Sequence, residues 1–212
     1  MLQLDLVISC HQKQLVKSII ENHHSYVPTA HSVGRRIDWL IRYDGRMIGM
    51  IGVGSSVYPP PKDLLRYLHV SKNEYKLMFN NIANNWRFCL TEKVKNIGTQ
   101  ILKEMRRHAP YEWKKKYGDE LTYLLTFVGA GHDGGIYKAD NWEHIGSTSG
   151  LPPHKSSSMK WNDAGQLKRL FVKPTGQNKK LIFITPVKTD SIPKETFGGF
   201  TAFINEVSND GK

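Results

Sequence analysis

The sequence predicts a mixed α/β fold, a central sheet with helices packed on its faces. Three observations predict it. Residues 120–128, ELTYLLTFV, form a nearly continuous apolar run, as a central strand buried on both faces requires. Residues 36–56 carry Asp44-Gly45 between two apolar runs, which marks a tight hairpin because glycine accepts the positive φ of a type I′ turn. Strand-period and helix-period segments alternate along the rest of the chain.

The elements follow in order. LQLDLVI (2–8) alternates apolar and polar residues, the period of a half-buried strand. HQKQLVKSIIENH (11–23) places Leu15, Val16, Ile19 and Ile20 on one face of a helix. A polar loop with three histidines (23–34) leads to the hairpin, and SVYPPPKD (56–63) reads as a loop. NEYKLMFNNIANN (73–85) reads as a helix and WRFCLTE (86–92) as a strand. TQILKEMRRHA (99–109) is a helix with Ile101, Leu102 and Met105 inward and Lys103, Arg106 and Arg107 outward. LKRLFVKP (167–174) and KKLIFITP (179–186) read as two more strands. PPHKSSSMKWNDAG (152–165) is a flexible basic loop. The order divides the chain into residues 1–150, a mixed α/β domain, and 151–212, a basic C-terminal extension of strands packed on the same domain.

The 212 residues are 39% hydrophobic, enough for a core, with no apolar run approaching a transmembrane span. The N-terminus lacks a basic leader and a cleavage site, so no signal peptide is expected. Cys10 and Cys89 both lie in apolar, strand-like segments and are expected as buried thiols, which fits a reducing cytoplasm. The nine histidines show no metal-ligand spacing, so no metal site is expected.

Charge says more. Thirty Lys and Arg against nineteen Asp and Glu give a net +11. Residues 87–118 hold nine Lys/Arg against three Glu, and 155–180 hold seven against one Asp. This favours a polyanionic partner, DNA, RNA or an anionic membrane, and does not choose between double-stranded DNA and tRNA. Trp86, Trp113 and Trp161 stand near these blocks and offer stacking surfaces. No basic amphipathic helix carries a broad apolar face, so no membrane partner is expected.

The strand at 86–92 runs into KVKNIG, which opens a helix at Thr99 and aims free N–H groups at an anion. This arrangement and the element order resemble the GNAT acyltransferase fold, in which that loop holds the pyrophosphate of acyl-CoA. Its loop pattern, Arg/Gln-x-x-Gly-x-Gly/Ala, compares with Lys95 to Gln100: Gly98 fits, Lys95 substitutes, and Gln100 departs. The resemblance implies Lys95, Gly98 and Thr99 as donor-binding residues.

GHDGGIYKADNWEHIG (131–146) has four glycines and no amphipathic period. It resembles a segment of the Mom family of phage DNA-modification proteins, Gly-His-x-Gly-x-Ile-Tyr-x-Ala-x-Asn-Trp. NHHSYVP (22–28) looks like that family's Asn-His-Tyr-Ser segment, with His24 where tyrosine is usual. VGRRIDWLIRYDGRMIGMIG, NNWRFCL, EWKKKYG, LLTFV and NWEHIGSTSG resemble the conserved domain of DruA, the Druantia defence protein. The resemblance spans about residues 20–150. It implies a GNAT-like catalytic domain that adds a carbamoylmethyl group to adenine N6 in DNA and so protects it from restriction. The donor is left open between acyl-CoA and an aminoacyl-tRNA. Two other classes stay in view: a DruA-like DNA-binding defence module without this chemistry, and a GNAT acyltransferase on a non-DNA amine.

The candidate residues follow. An exocyclic adenine amine is a poor nucleophile and needs a proton acceptor. His23, His24 and Ser25 supply one, His23 first, or the two histidines cap the helix C-terminus. Tyr137 falls on the GNAT tyrosine, a general acid or orienting hydroxyl, or else packs a short helix. Arg87, an arginine within a strand, holds a carboxylate or phosphate or lies on an exposed face. His132, among glycines, is placed to bind the flipped base or the donor. Asn141 pairs with an adenine edge or caps a turn. Trp142 is expected in the core. The acid expected just after the 120–128 strand is Gly129 here, with Asp133 and Asp140 as the nearby carboxylates.

Overall fold

The computed structural model describes residues 1–24, 34–129, 131–150, 159–161, 167–169 and 179–187. Strand β1 (Leu2–Leu6) leads into helix α1 (Cys10–His23). A capping box starts that helix: Ser9 Oγ accepts from the Gln12 N–H (3.2 Å) and Gln12 Oε1 from the Ser9 N–H (3.0 Å), stabilising it by about 1 kcal/mol. Strands β2 (Arg36–Tyr43) and β3 (Arg46–Ser55) form the predicted hairpin. Asp44 (φ 48°) and Gly45 (φ 77°) both take the positive φ of the type I′ turn. Next come α2 (Lys62–Leu68), α3 (Lys72–Leu77), a 3₁₀ turn (Phe79–Asn81) and β4 (Ile82–Leu90). After these stand α4 (Ile97–Tyr117), β5 (Tyr123–Val128), α5 (Gly135–Ala139) and β6 (Glu143–Ser147). A short antiparallel pair, β7 (Met159–Trp161) with β8 (Leu167–Arg169), precedes β9 (Leu181–Pro186).

Seven strands make one sheet in the order β1-β2-β3-β4-β5-β9-β6. Only β4 and β5 are parallel; the other neighbours are antiparallel. β9 enters between β5 and β6, so the sheet crosses the compositional boundary at residue 150. On one face α4 buries Ile101, Leu102, Met105, Ala109 and Trp113 against Ile37, Trp39, Ile51, Val53 and Leu124, with Tyr137 of α5 in the same cluster. On the other face α1 buries Val16, Ile19 and Ile20 against Leu40, Met50, Trp86 and Cys89. Leu64 of α2 and Tyr75 of α3 cover Ile82, Leu125, Ile182 and Ile184. Among the described residues no helix is long and apolar enough to cross a membrane.

Several expectations are corrected. Residues 82–85 are strand, not helix, because Ala83 and Asn84 pair with β3 on one side and β5 on the other. Lys62 and Asp63, expected at the end of a loop, instead open a helix that runs from Lys62 to Leu68, starting just past Pro61. The helix expected at 99–109 runs from Ile97 to Tyr117. Pro110 removes one N–H, yet Trp113 continues the buried stripe, and its Nε1 donates to Asn80 O (2.9 Å). Cys10 is exposed at the start of α1, whereas Cys89 is buried. Trp113 is fully buried, so core packing claims its ring; Trp86 is 9% exposed and lines a cavity; the Trp161 side chain lies outside what the structure describes.

A candidate active site in the wedge between two central strands

β4 and β5 pair only over Ile82–Asn84 and Tyr123–Leu125. Beyond that point β4 continues along β3 and β5 along β9, so the two strands part. The Thr126 hydroxyl, donating to Asn85 O (3.4 Å), bridges the apex. A cavity of about 1180 Å³ fills the wedge, large enough for a cofactor-sized molecule.

A bulge in β4 arranges one wall. Gly52 pairs with Arg87 and Val53 with Asn85, which leaves Trp86 as the extra residue. Before the bulge Ala83 and Asn85 face α4 and α5; after it Phe88 and Leu90 do. Trp86 and Arg87 therefore point the same way, toward α1. The Arg87 guanidinium lies 4.9 Å from the Trp86 ring centroid and donates to Trp86 O (2.7 Å). Trp86 is itself locked: its Nε1 donates to Asp38 Oδ1 (3.0 Å), and Arg36, ion-paired with Asp38, covers its ring at 4.0 Å. Burial holds the Asp38 carboxyl above the usual range, opposed by Arg36 and the Trp86 N–H.

The opposite wall comes from 132–137. Gly134 (φ 71°) turns the chain into α5 with no room for a side chain, since a Cβ there would overlap the Phe183 ring. Tyr137 is 8% exposed, stacks on Phe183 (5.9 Å) and meets Trp142 edge-on (5.1 Å). Its hydroxyl donates to Asn85 Oδ1 (2.8 Å), and the Asn85 amide donates to Gly52 O (2.8 Å). The phenol is thus fixed by β4 while lining the cavity. Gly134→Ala is expected to destabilise the protein by about 2 kcal/mol or more, from a strained φ plus the Phe183 overlap, read as a lower urea midpoint.

His23, His24, Arg87, His132 and Tyr137 all line this one cavity. Between the histidines, His23 is exposed and His24 half-buried at the helix end, where its N–H donates to Ile20 O (3.1 Å). Burial first, then Arg87, His132 and Lys180, lower the His24 pKa to about 4. His24 is therefore neutral at pH 7. An unfolded histidine takes its proton near pH 6.5, so folding loses stability as pH falls from there toward 4. His24→Gln is expected to flatten that acid limb in urea denaturations run across the range.

The remaining candidates lie elsewhere. Ser25 falls outside the described residues. Lys95 and Thr99 do not line the cavity; α4 starts at Ile97 behind a left-handed Asn96 (φ 59°). Gly98 sits against Ile136, where a Cβ would stand 3.1 Å from Ile136 Cγ2, and Ile136 does line the cavity. The α4 start is thus one side chain from the wedge. Asn141 is exposed, left-handed (φ 60°) and outside the cavity, ending α5 with its N–H on Lys138 O (3.0 Å). Trp142 is buried, as expected. Asp140 accepts from Arg106 twice (2.9 and 2.8 Å) and from Trp142 Nε1 (2.9 Å), which commits it to structure. Asp133 reaches the cavity rim, where its bond from the Gly135 N–H holds its carboxyl below the usual range.

The structure adds Asn85, Thr126 and Lys180 to the lining. Burial, then Arg87, lowers the Lys180 pKa. The paired asparagines at the start of NNWRFCL were the available signal for Asn85. Cys89 also lines the cavity, but burial pushes its thiol up and its Sγ donates to Ile19 O (3.7 Å), both of which disfavour the thiolate a nucleophile needs. Among the described residues no cluster of His, Cys, Asp or Glu can hold a metal ion.

This wedge, with helices on both faces of a mixed sheet, defines a GNAT-like fold. The chain aligns with an acetyltransferase of the GNAT family from Streptococcus pneumoniae at 12% identity, covering 89% of this chain and 100% of that one, with a TM-score of 0.50. IAA acetyltransferase from Bacillus cereus aligns at 14% identity over 88% and 99% of the two chains, also at 0.50. FeeM, an N-acyl amino acid synthase from uncultured soil microbes, aligns at 10% identity over 88% and 91%, at 0.51. At these identities the likeness shows the fold. No curated protein matches the chain. Residues 1–179 match the family model of Druantia protein DruA, and the chain belongs to that family.

Proposed function

We propose that the protein is a group-transfer enzyme whose wedge cavity brings a donor against an exocyclic amine, adenine N6 of DNA. The observation that carries this reading is that His24, His23 and Tyr137, remote in sequence, line one cavity at the parting of β4 and β5. The amine nitrogen bonds to the carbon of the transferred group and releases a proton to the neutral His24. Tyr137, oriented by Asn85, donates a proton to the departing group. The likeness to Mom in 131–146 supports adenine N6 as acceptor and a carbamoylmethyl group as cargo. The donor would be acyl-CoA or an aminoacyl-tRNA; attack on its carbonyl carbon forms an N6-acyl amide and releases the thiol or the tRNA hydroxyl, and an N6-glycyl group, an isomer of carbamoylmethyl, reaches that form only by rearrangement after transfer. A base must leave the duplex to reach the cavity, at a cost of a few kcal/mol that phosphate contacts would offset.

One observation favours transfer to an amine outside DNA. Arg106, Arg107 and Lys114 of α4 already pair with Asp140, Glu104 and Glu120, which lowers the charge this helix offers to a polyanion. Nucleoside mass spectrometry of plasmid DNA from expressing cells separates the two readings. A deoxyadenosine adduct with the mass of one carbamoylmethyl group, absent with Tyr137→Phe, supports the first. Unmodified deoxyadenosine from cells with abundant folded protein rejects it.

A further inference from the structure

Asn84 and Asn85 stand at the apex of the wedge, and the alternation of a strand sends their side chains to opposite faces of the sheet. Asn85 turns to α5, where it holds the Tyr137 hydroxyl. Asn84 turns to the other face, on which Ile82 packs with Leu125 under α2 and α3. It pairs with Leu125 in the last step before β4 and β5 part, and on its other side with Gly54, which brings no side chain to meet it. Its Oδ1 is buried and accepts no hydrogen bond. Around it the cavity is lined by Val57, Pro59, Pro61 and Phe127. Those side chains have no polar atom, and the two prolines lack even a backbone N–H, so this part of the lining gives the oxygen little to accept from. A buried carbonyl oxygen without a donor costs stability, and the large majority of such oxygens in folded proteins have one.

We infer that Asn84 reads the acceptor base: its oxygen accepts from one N6–H of adenine, and its amide nitrogen donates to the ring nitrogen beside it. An asparagine carboxamide matches that donor–acceptor pair in one plane. The assignment rests on the group-transfer reading above and gives it a specificity residue. N6 carries two protons. The one held by Asn84 stays on the nitrogen, and the other leaves as the new bond forms. A turn about the soft terminal torsion of Asn84 brings the oxygen into the cavity, and the oxygen gives up no bond in turning. The adenine-edge role that the sequence offered to Asn141, which lies outside the cavity, thus falls to Asn84.

The test is binding of the full chain, with no donor present, to two labelled single-stranded oligothymidines that differ at one central base. One carries adenine there and the other purine, which has hydrogen in place of the amino group. The phosphates are the same in both, so the basic surface contributes equally. The adenine strand is expected to bind about tenfold more tightly. Asn84→Leu should erase that preference while its melting temperature stays level or rises, because the change removes an acceptor that had no partner. Asn84→Ala gives the binding comparison if the Leu variant fails to fold. Equal binding of the two strands by the parent, or a preference kept in a folded variant, overturns the assignment. Because no product is measured, the preference without any DNA adduct removes the transfer reading and leaves Asn84 as a base reader. An adduct without the preference does the reverse.

Discussion

Tyr137→Phe is expected to slow group transfer about a hundredfold while leaving the protein folded. The ring is held by Phe183 and Trp142, and the substitution leaves those contacts in place. What it removes is the bond to Asn85 Oδ1, at a stability cost of about 1–3 kcal/mol for the acceptor left behind. A general acid loses its proton with the hydroxyl, so the chemical step should fall while donor binding holds. Single-turnover rates beside a urea denaturation separate the two effects. An unchanged rate would assign Tyr137 to packing alone and leave the proton for the leaving group without a source.

Asp140→Ala should be among the most damaging single changes, costing about 3–5 kcal/mol. Asp140 is 6% exposed and takes both Arg106 bonds and the Trp142 indole N–H. Removing it leaves a guanidinium and an indole N–H facing each other without their acceptor. It also loosens α5 from α4, and with it the placement of Tyr137. Asp140→Asn should cost less, since the amide oxygen still accepts one bond. Chemical denaturation gives the difference. Activity per folded molecule should survive in the Asn variant, because the carboxylate braces the site without entering the cavity. The acid expected near Gly129 is therefore not replaced by Asp140.

The segment that holds both residues shows where sequence reading reaches the fold. A glycine-shaped turn followed by a short helix at 131–146 is legible because its constraints are local: backbone angles and a few spaced aromatics. The Asp44-Gly45 hairpin is legible for the same reason. Residues 82–85 are not. Their apolar spacing suits a helix, and only pairing with β3 and β5, far off in sequence, makes them strand. That error hid Asn85, which holds the Tyr137 hydroxyl, and it hid the bulge that turns Arg87 toward α1. Lys180 was hidden otherwise, since nothing in KKLIFITP says that its strand enters beside β5. Two of the three tryptophans near the basic blocks, Trp86 and Trp113, misled because exposure cannot be read from composition. Their spacing on α4 and β4 points inward only once the sheet is in place.

The late entry of β9 into the middle of the sheet bears on synthesis. Until Pro186 has cleared the ribosome, the outer edge of β5 and all of β6 have no neighbour, although both were made far earlier. A nascent chain in that state exposes Leu125 and Phe127 along an open edge that another copy can pair with. Ribosome stalling within the last stretch before β9 should therefore recruit chaperones or precipitate the product, whereas a stall after it should release a soluble chain.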